Sequence, residues 1–147
     1  MIDISVKGKE YDQPPFEVEK GKIGEFARAI GDNNPVFRDM DAAAKQGFKT
    51  LAVPPTFGTV LTLSGKVWDI VAELKLDFAK VLHSGQEYEY FKSIEPGETL
   101  FGKTKIADIT EKSGKSGKMQ FIVLETTYDD KSGNKVFVDR MTLAVRE

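Results

Sequence analysis

The sequence contains no cysteine and a single histidine, His83. Without cysteine the chain cannot form disulfides, thiolate metal sites or a cysteine nucleophile, and one histidine is too few for a histidine-rich zinc site. The 21 basic and 23 acidic residues give a net charge of −2, without the basic excess typical of nucleic-acid-binding proteins. We therefore expect no metal or redox cofactor and no nucleic-acid partner.

Long hydrophobic runs are also missing. Residues 1–8 lack the apolar core of a signal peptide, and the most apolar stretch, residues 51–63, contains two Pro, three Thr and a Gly. We therefore expect a cytoplasmic protein that does not enter a membrane. The 147 residues, 40% of them hydrophobic, are enough for one hydrophobic core, so we expect one domain over residues 1–147.

The first third of the chain has the pattern of helices. Apolar residues recur on one helical face at Ile23, Phe26, Ala27 and Ile30. Gly31 suits the residue after a helix end, because glycine accepts a positive φ without steric cost. Residues 32–35 then read as a turn, and a short second helix is predicted from Arg38 to Gln46, with Asp39 or Asp41 near its start.

A third helix is predicted after Pro54 and Pro55. Thr56 can act as its N-cap, and the apolar residues from Phe57 onward cover too wide an arc for a surface helix. The pattern therefore predicts a long helix that is buried on most of its circumference and weakened at Gly65. Trp68 is expected to be a core residue of this helix.

The second half changes to a β-strand pattern. Four runs are rich in aromatic and β-branched residues: Glu87 to Phe91, Leu100 to Ile109, Met119 to Tyr128 and Val136 to Val145. Short turn signals separate the later runs, which favours an antiparallel meander of about four strands. The whole chain is then an α+β domain in which a long helix lies on a curved antiparallel sheet.

Residues 112–118 alternate Lys, Ser and Gly and lack the spacing of a phosphate-binding P-loop. We interpret them as a solvated hairpin turn. A role facing the phosphates of a CoA or phosphopantetheine arm stays open.

The residues Gly31-Asp32-Asn33-Asn34-Pro35-Val36-Phe37, followed by Ala42-Ala43-Ala44, resemble the active-site loop of the MaoC-like hydratase/dehydratase family. Residues 47–57, 83–88 and 94–100 and the hairpin around Gly133 resemble further segments of the family, in the same order. The resemblance covers nearly the whole chain and is greatest to the branch whose helix begins Pro-Pro-Thr-Phe. That branch includes the non-catalytic subunit of the mycobacterial (3R)-hydroxyacyl-ACP dehydratase.

The resemblance implies the hot-dog fold and the syn hydration or dehydration of a fatty acyl thioester. In the family, the loop aspartate and histidine act together with a water molecule. Here Asp32 and Asn34 match the loop, but Phe37 stands where the family has its histidine, and phenylalanine cannot transfer a proton. Because one general acid–base group contributes about 10²–10⁴-fold, the loop of this chain alone should be severely impaired. Asp32 and Asn34 also fit a purely structural role as turn and cap residues.

The same resemblance implies the substrate-binding residues Pro55, Thr56, Phe57, Gly58 and His83. Backbone N–H groups around Phe57 and Gly58 would polarise the thioester carbonyl, since the start of a helix offers free donors. His83 either bonds a neighbouring backbone group as a structural residue or contacts the substrate.

The family pairs two domains around an acyl tunnel. The resemblance therefore implies a homodimer, or a heterodimer with a hot-dog subunit that carries the histidine, acting on acyl-CoA or acyl-ACP. Two alternatives stay open. One is a non-catalytic protein that binds acyl thioesters, and the other is a hot-dog thioesterase that uses Asp32 as a lone carboxylate.

Overall fold

The computed structural model of the chain describes residues 2–114 and 117–146. Within these residues the α-helices are Lys20–Ala29 (α1), Met40–Lys45 (α2), Gly58–Ser64 (α3) and Val67–Glu73 (α4). Short 3₁₀ segments occur at Ile4–Val6, Pro35–Phe37 and Phe78–Lys80. None of these helices has the length and hydrophobicity required to cross a lipid bilayer.

The strands form one antiparallel sheet. They are Glu10–Asp12 (β1), Phe16–Glu17 (β2), Val81–Tyr90 (β3), Thr99–Gly114 (β4), Gly117–Asp129 (β5) and Lys135–Arg146 (β6). The sheet order is β1-β4-β5-β6-β3, and β2 pairs with β4. The four predicted strands are present, but the simple meander is wrong, because β3 lies beyond β6 and the chain must cross the sheet to reach β4. Strands β1 and β2 were not expected from the sequence.

The two predicted N-terminal helices are confirmed. Helix α1 buries Ile23, Gly24 and Ala27, and Gly31 after it has a φ of +72°. Helix α2 is capped by Asp39, whose Oδ1 accepts hydrogen bonds from the N–H groups of Asp41 and Ala42 at 2.8 and 3.0 Å. The hairpin turn predicted at residues 112–118 has its two central residues, 115 and 116, outside the described ranges. Gly114 and Gly117 pair on either side of it.

The predicted long helix is divided into α3 and α4 at Gly65. The side chain of Gln13 enters the break, where its Oε1 accepts a hydrogen bond from the Lys66 N–H at 2.6 Å. Its Nε2 donates to the Thr104 hydroxyl at 2.8 Å. A Cβ at position 65 would press on the end of the Gln13 side chain, so the glycine leaves room for this amide in the break. Gln13 therefore binds the residue that precedes α4, and no side chain caps that helix.

The predicted N-cap at Thr56 is wrong. Helix α3 begins at Gly58 after Phe57, and no side chain caps it. The turn before it is closed by backbone bonds, from Phe57 N–H to the Pro54 carbonyl (2.9 Å) and from Thr59 N–H to the Thr56 carbonyl (3.1 Å). The side chain of Thr56 is exposed and does not cap the helix.

The hydrophobic core has two parts. One surrounds Phe57 and includes residues of α1, of the 3₁₀ segment at 35–37 and of the neighbouring strands. The other packs the buried face of α4, formed by Val67, Ile70 and Val71, against β4, β5 and β6. Each part lies beside one of the two concave surfaces described next.

Candidate functional site

The loop that resembles the family's active site is held by its own polar side chains. The Asp32 carboxylate accepts a hydrogen bond from the Asn34 N–H at 2.9 Å, and the Asn34 side chain accepts one from the Val36 N–H at 3.2 Å. These are turn and capping bonds of the kind that Asp and Asn make with the backbone two residues further on. Asp32 is half-buried and Asn34 is exposed.

Phe37 is 7% exposed and packs in the core beside Val36 and Ala52. The position where the family has its catalytic histidine is therefore part of the apolar interior. A buried phenylalanine contributes packing, and the loop of this chain holds no imidazole.

A groove of about 640 Å³ runs beside this loop. Its walls come from Asn34, Val36 and Phe37, from residues 46–55, and from residues 90 and 92–96. Two predicted site residues, Asn34 and Pro55, line it, whereas Asp32 and Thr56 do not. The Tyr90 hydroxyl donates a hydrogen bond to the Pro55 carbonyl at 2.5 Å, which connects the segment before α3 to β3.

The start of α3 is packed tightly against the sheet. The Phe57 side chain is fully buried and contacts Phe16 and Phe26 edge to face, so it is a core residue rather than a substrate contact. Its N–H is already bonded to Pro54 and cannot polarise a carbonyl, which corrects that part of the expectation. At Gly58, a Cβ would lie 2.7 Å from the Tyr88 ring, so the glycine serves close packing with β3.

A second concave surface, which we call the helix pocket, lies between the α3–α4 pair and the strands β3 and β6. It has a volume of about 380 Å³, within the range of small-molecule sites. Most of its lining is apolar: Leu63, Val67, Trp68, Val71, Phe78, Val81, Met141 and Leu143. The polar residues are Thr59, His83 and Gln86.

Trp68 forms part of the open wall of the helix pocket. It is 52% exposed, which corrects its expected place in the core, and its ring lies 5.9 Å from that of Phe78. Because Phe78 is also exposed, the two aromatic rings present apolar surface that the described part of the chain leaves uncovered.

The polar wall of the helix pocket is connected to a buried carboxylate. Asp139 on β6 is 1% exposed and accepts hydrogen bonds from the Thr62 hydroxyl and from the Gln86 side-chain amide. Gln86 in turn contacts His83, with 3.1 Å between Gln86 Oε1 and His83 Nε2. We call these four residues, Thr62, Asp139, Gln86 and His83, the polar relay.

Burial raises the pKa of the Asp139 carboxyl to about 6, because the apolar surroundings disfavour the charged form. The hydrogen bonds from Thr62 and Gln86 act in the opposite direction and stabilise the carboxylate, as does the nearby His83 to a smaller extent. A perturbed carboxyl behind a pocket is a feature of functional sites, although structural networks produce it too.

A β-bulge brings His83 and Gln86 together. In a regular strand, residues three apart point to opposite faces. The pairing of β3 with β6 shifts between His83 and Gly85, which inserts one extra residue and returns both side chains to the pocket side. His83 was predicted to bond a backbone group or contact a substrate. It bonds a side chain instead, and it lines the helix pocket.

Three residues of this site were not expected from the sequence: Thr62, Gln86 and Asp139. Asp139 directly follows three buried apolar residues, 136–138, in β6. A lone acidic residue in such a run is a recognisable sign of a buried polar group that needs a partner. Its partners are 77 and 53 residues away in the chain, so their identity required the fold.

The family model described as "FAS1-like, dehydratase domain region" matches residues 5–139. The chain belongs to this family. The UPF0336 protein of Thermobifida fusca (strain YX) is 35% identical over 147 residues, which is 99% of this chain and 94% of that protein.

Two solved structures have the same fold. The C-terminally truncated HadBC (3R-hydroxyacyl-ACP dehydratase) complex from Mycobacterium tuberculosis has a TM-score of 0.80 and 24% identity, covering 95% of this chain and 96% of that chain. A MaoC-like dehydratase has a TM-score of 0.83 and 23% identity, covering 97% of this chain and 42% of that chain. The resemblance to the MaoC-like family and the expected α+β hot-dog fold are both confirmed.

Proposed function

We propose that the chain, as one hot-dog domain over residues 1–147, is an acyl-binding subunit of a (3R)-hydroxyacyl thioester dehydratase or enoyl hydratase. In this role it forms the acyl tunnel, and a second hot-dog subunit supplies the catalytic histidine. The substrate is an acyl-CoA or an acyl-ACP.

The observation that carries the proposal is the helix pocket. Its apolar lining and volume of about 380 Å³ suit a flexible hydrocarbon chain. An acyl chain gains binding energy from each buried methylene, about 0.8 kcal/mol in area bookkeeping, without needing a directional contact. Residues of both α3 and α4, on either side of the break at Gly65, contribute to this lining.

The loop supports a division of labour between two subunits. Asp32 and Asn34 are engaged in their own turn, and Phe37 is buried where an acid–base group would have to stand. Without an imidazole in this loop, the chain lacks a contribution of about 10²–10⁴-fold to the rate. A partner with the sequence Asp-x-Asn-Pro-x-His would restore it.

The sheet edge supports a paired assembly. In the described residues, β3 pairs with β6 on one side and its other edge has no strand partner. Exposed aromatic side chains, Tyr90 and Phe91, stand at the end of that strand. An open edge beside apolar surface favours association with another chain. A homodimer and a heterodimer both satisfy this edge.

The test is hydration of a 2-enoyl-CoA and of the matching enoyl-ACP by the pure chain, by a histidine-bearing hot-dog partner, and by both together. We expect negligible turnover by the pure chain and at least about a hundredfold stimulation of the partner on long acyl chains. Vigorous hydration by the pure chain would contradict the need for a partner.

Two other outcomes identify the alternatives. Acyl-CoA binding without stimulation of any partner would favour a non-catalytic binding protein. Thioester hydrolysis by the pure chain that is lost in Asp32→Ala and retained in Asn33→Ala would favour a thioesterase.

A further inference from the structure

The polar relay fixes the orientation of the Gln86 amide. An ionised carboxylate only accepts hydrogen bonds, so Gln86 must turn its nitrogen toward Asp139 and its oxygen toward His83. Thr62 holds the other Asp139 oxygen, so the carboxylate itself is anchored from α3. A glutamine amide is usually free to flip, but here a buried group determines which way it faces.

The same bonds determine which nitrogen of His83 carries the proton. Because Gln86 Oε1 is an acceptor, the neutral His83 ring donates from Nε2 and keeps Nδ1 as an acceptor. Gln86 has two N–H groups and uses one of them on Asp139. The pair therefore has one N–H and one ring nitrogen that these two hydrogen bonds do not use, and both side chains line the helix pocket.

Stability alone gives no reason for this arrangement. A buried carboxylate costs desolvation energy, and a well-packed apolar residue of similar volume avoids that cost. The pocket would hold a plain hydrocarbon chain at least as well with an apolar wall. A polar group in an apolar pocket instead discriminates between ligands. A ligand that covers the group without bonding to it removes the group's hydrogen bonds to water and replaces none of them, so it binds more weakly.

We infer that the helix pocket takes an acyl chain that carries a hydroxyl group along its length, beyond the carbons at which a hydratase reacts, and that Gln86 and His83 bind this hydroxyl. A hydroxyl both accepts and donates, so it matches an amide N–H beside a ring nitrogen. A keto oxygen accepts only and satisfies half of the pair. This inference rests on the proposed acyl-binding function and names its substrate class.

Gln86 and His83 are the specificity-determining residues in this inference, and Asp139 and Thr62 are positioning residues. The chain carries a reporter for the pocket, since Trp68 is its single tryptophan and forms part of the lining. Ligand binding can therefore be followed by the change in Trp68 fluorescence.

The experiment titrates the full chain with dodecanoyl-CoA and with 3-hydroxydodecanoyl-CoA. It then uses the isomers whose hydroxyl moves stepwise from the fifth carbon to the chain end, and one keto compound with its oxygen at one of these positions. We expect one hydroxyl position beyond the third carbon to bind about tenfold more tightly than the plain chain, with the keto compound between them. In Gln86→Met, which keeps the side-chain length, that ratio should fall to about one. Glu89→Gln, on the opposite face of β3, is the matched control and should keep the ratio.

The outcomes separate this inference from the function on which it rests. Equal binding of the plain chain and every hydroxylated chain would overturn the inference and leave an acyl-binding subunit intact. A preference for the 3-hydroxy compound alone would also overturn it, because that hydroxyl belongs to the reaction itself. Failure of all the ligands to bind would overturn both.

Discussion

The groove beside the Asp32 loop and the helix pocket differ in what holds their polar side chains. In the loop beside the groove, Asp32 and Asn34 bond to backbone groups two residues away. In the helix pocket, Gln86 bonds to a carboxylate 53 residues away in the chain. A local turn explains the first set completely, whereas no local structure explains the second.

This difference teaches how to judge a familiar motif. The loop keeps the shape of the family's active site because Asp, Asn and Pro form that turn by their own chemistry. The proton-transfer group is absent, since Phe37 is buried in the core. The helix pocket, of whose lining only His83 was predicted as a site residue, has a mostly apolar lining and a buried carboxyl with a raised pKa behind its wall.

Phe37→His has the largest expected effect and tests the groove. The imidazole would replace a buried ring, lose apolar contacts and bury polar atoms without partners, so we expect a loss of about 4 kcal/mol of unfolding free energy. Chemical denaturation measures it, with Phe37→Leu as the milder control. We also expect no hydratase activity in the variant alone, because Asp32 stays engaged in its turn. A gain of activity would show that the groove needs only its histidine.

Asp139→Asn tests the helix pocket by its pH dependence. The folded pKa of Asp139, about 6, lies above its ordinary value of 3.8, so the folded state holds this proton more tightly than the unfolded state. The stabilisation of the folded state by this proton is fully present below pH 4 and is lost as the pH rises to about 6. The loss over that interval is up to about 3 kcal/mol of unfolding free energy.

The measurement for Asp139 is the unfolding free energy of both proteins at intervals from pH 4 to pH 7. Wild type should lose stability relative to Asp139→Asn as the pH rises through this window, and the two curves should run parallel above it. Parallel curves throughout would mean that the carboxyl titrates at its ordinary value and that the relay is not buried in solution.

Gly58 lies between the two surfaces, after Pro55 of the groove and before Thr59 of the helix pocket. A methyl group there would press on the Tyr88 ring, so Gly58→Ala should cost about 2 kcal/mol of unfolding free energy. Gly21→Ala in α1 is the matched control, because nothing lies within 4 Å of its added Cβ. It should stabilise the chain by about 0.5–1 kcal/mol through the helix propensity of alanine. Equal effects at both positions would contradict the tight packing at Gly58.

Leu63→Trp has the smallest expected effect and tests whether the acyl chain binds in the helix pocket or in the groove. Leu63 is an exposed part of the helix-pocket lining, so a larger side chain would occupy space needed by an acyl chain without disturbing the core. We expect about tenfold weaker binding of dodecanoyl-CoA, equal to about 1.4 kcal/mol, by calorimetric titration. Leu82→Trp is an exposed control that lies outside this lining. Unchanged affinity in Leu63→Trp would move the acyl chain to the groove.

Local rules predicted much of the fold. The apolar spacing of α1, the positive φ of Gly31 and the Asp39 cap of α2 depend only on neighbouring residues. The four long strands followed from their aromatic and β-branched content. The two short strands could not be predicted, because three residues in β1 and two in β2 carry too little pattern.

The features missed in the site depend on distant residues. Gly65 suggested a weak point, but the break needs the Gln13 amide, which arrives from 53 residues away. Apolar character suggested that Trp68 was in the core, whereas the break leaves it on the wall of the pocket. Gly85 is a local sign of the bulge that brings His83 and Gln86 to one face, because glycine within a strand often marks a bulge, but it does not show which side chains the bulge brings together.

The order of the strands has a consequence for biosynthesis. Strand β3 joins the sheet through β6, where Val81 pairs with Val145 at the very end of the described chain. Contacts that distant form late, because a long loop must first close. On the ribosome, α4 and β3 therefore emerge long before β6, the strand with which both make contact. Until β6 has been synthesised, apolar side chains of α4 stay exposed, and chaperones would have to protect them.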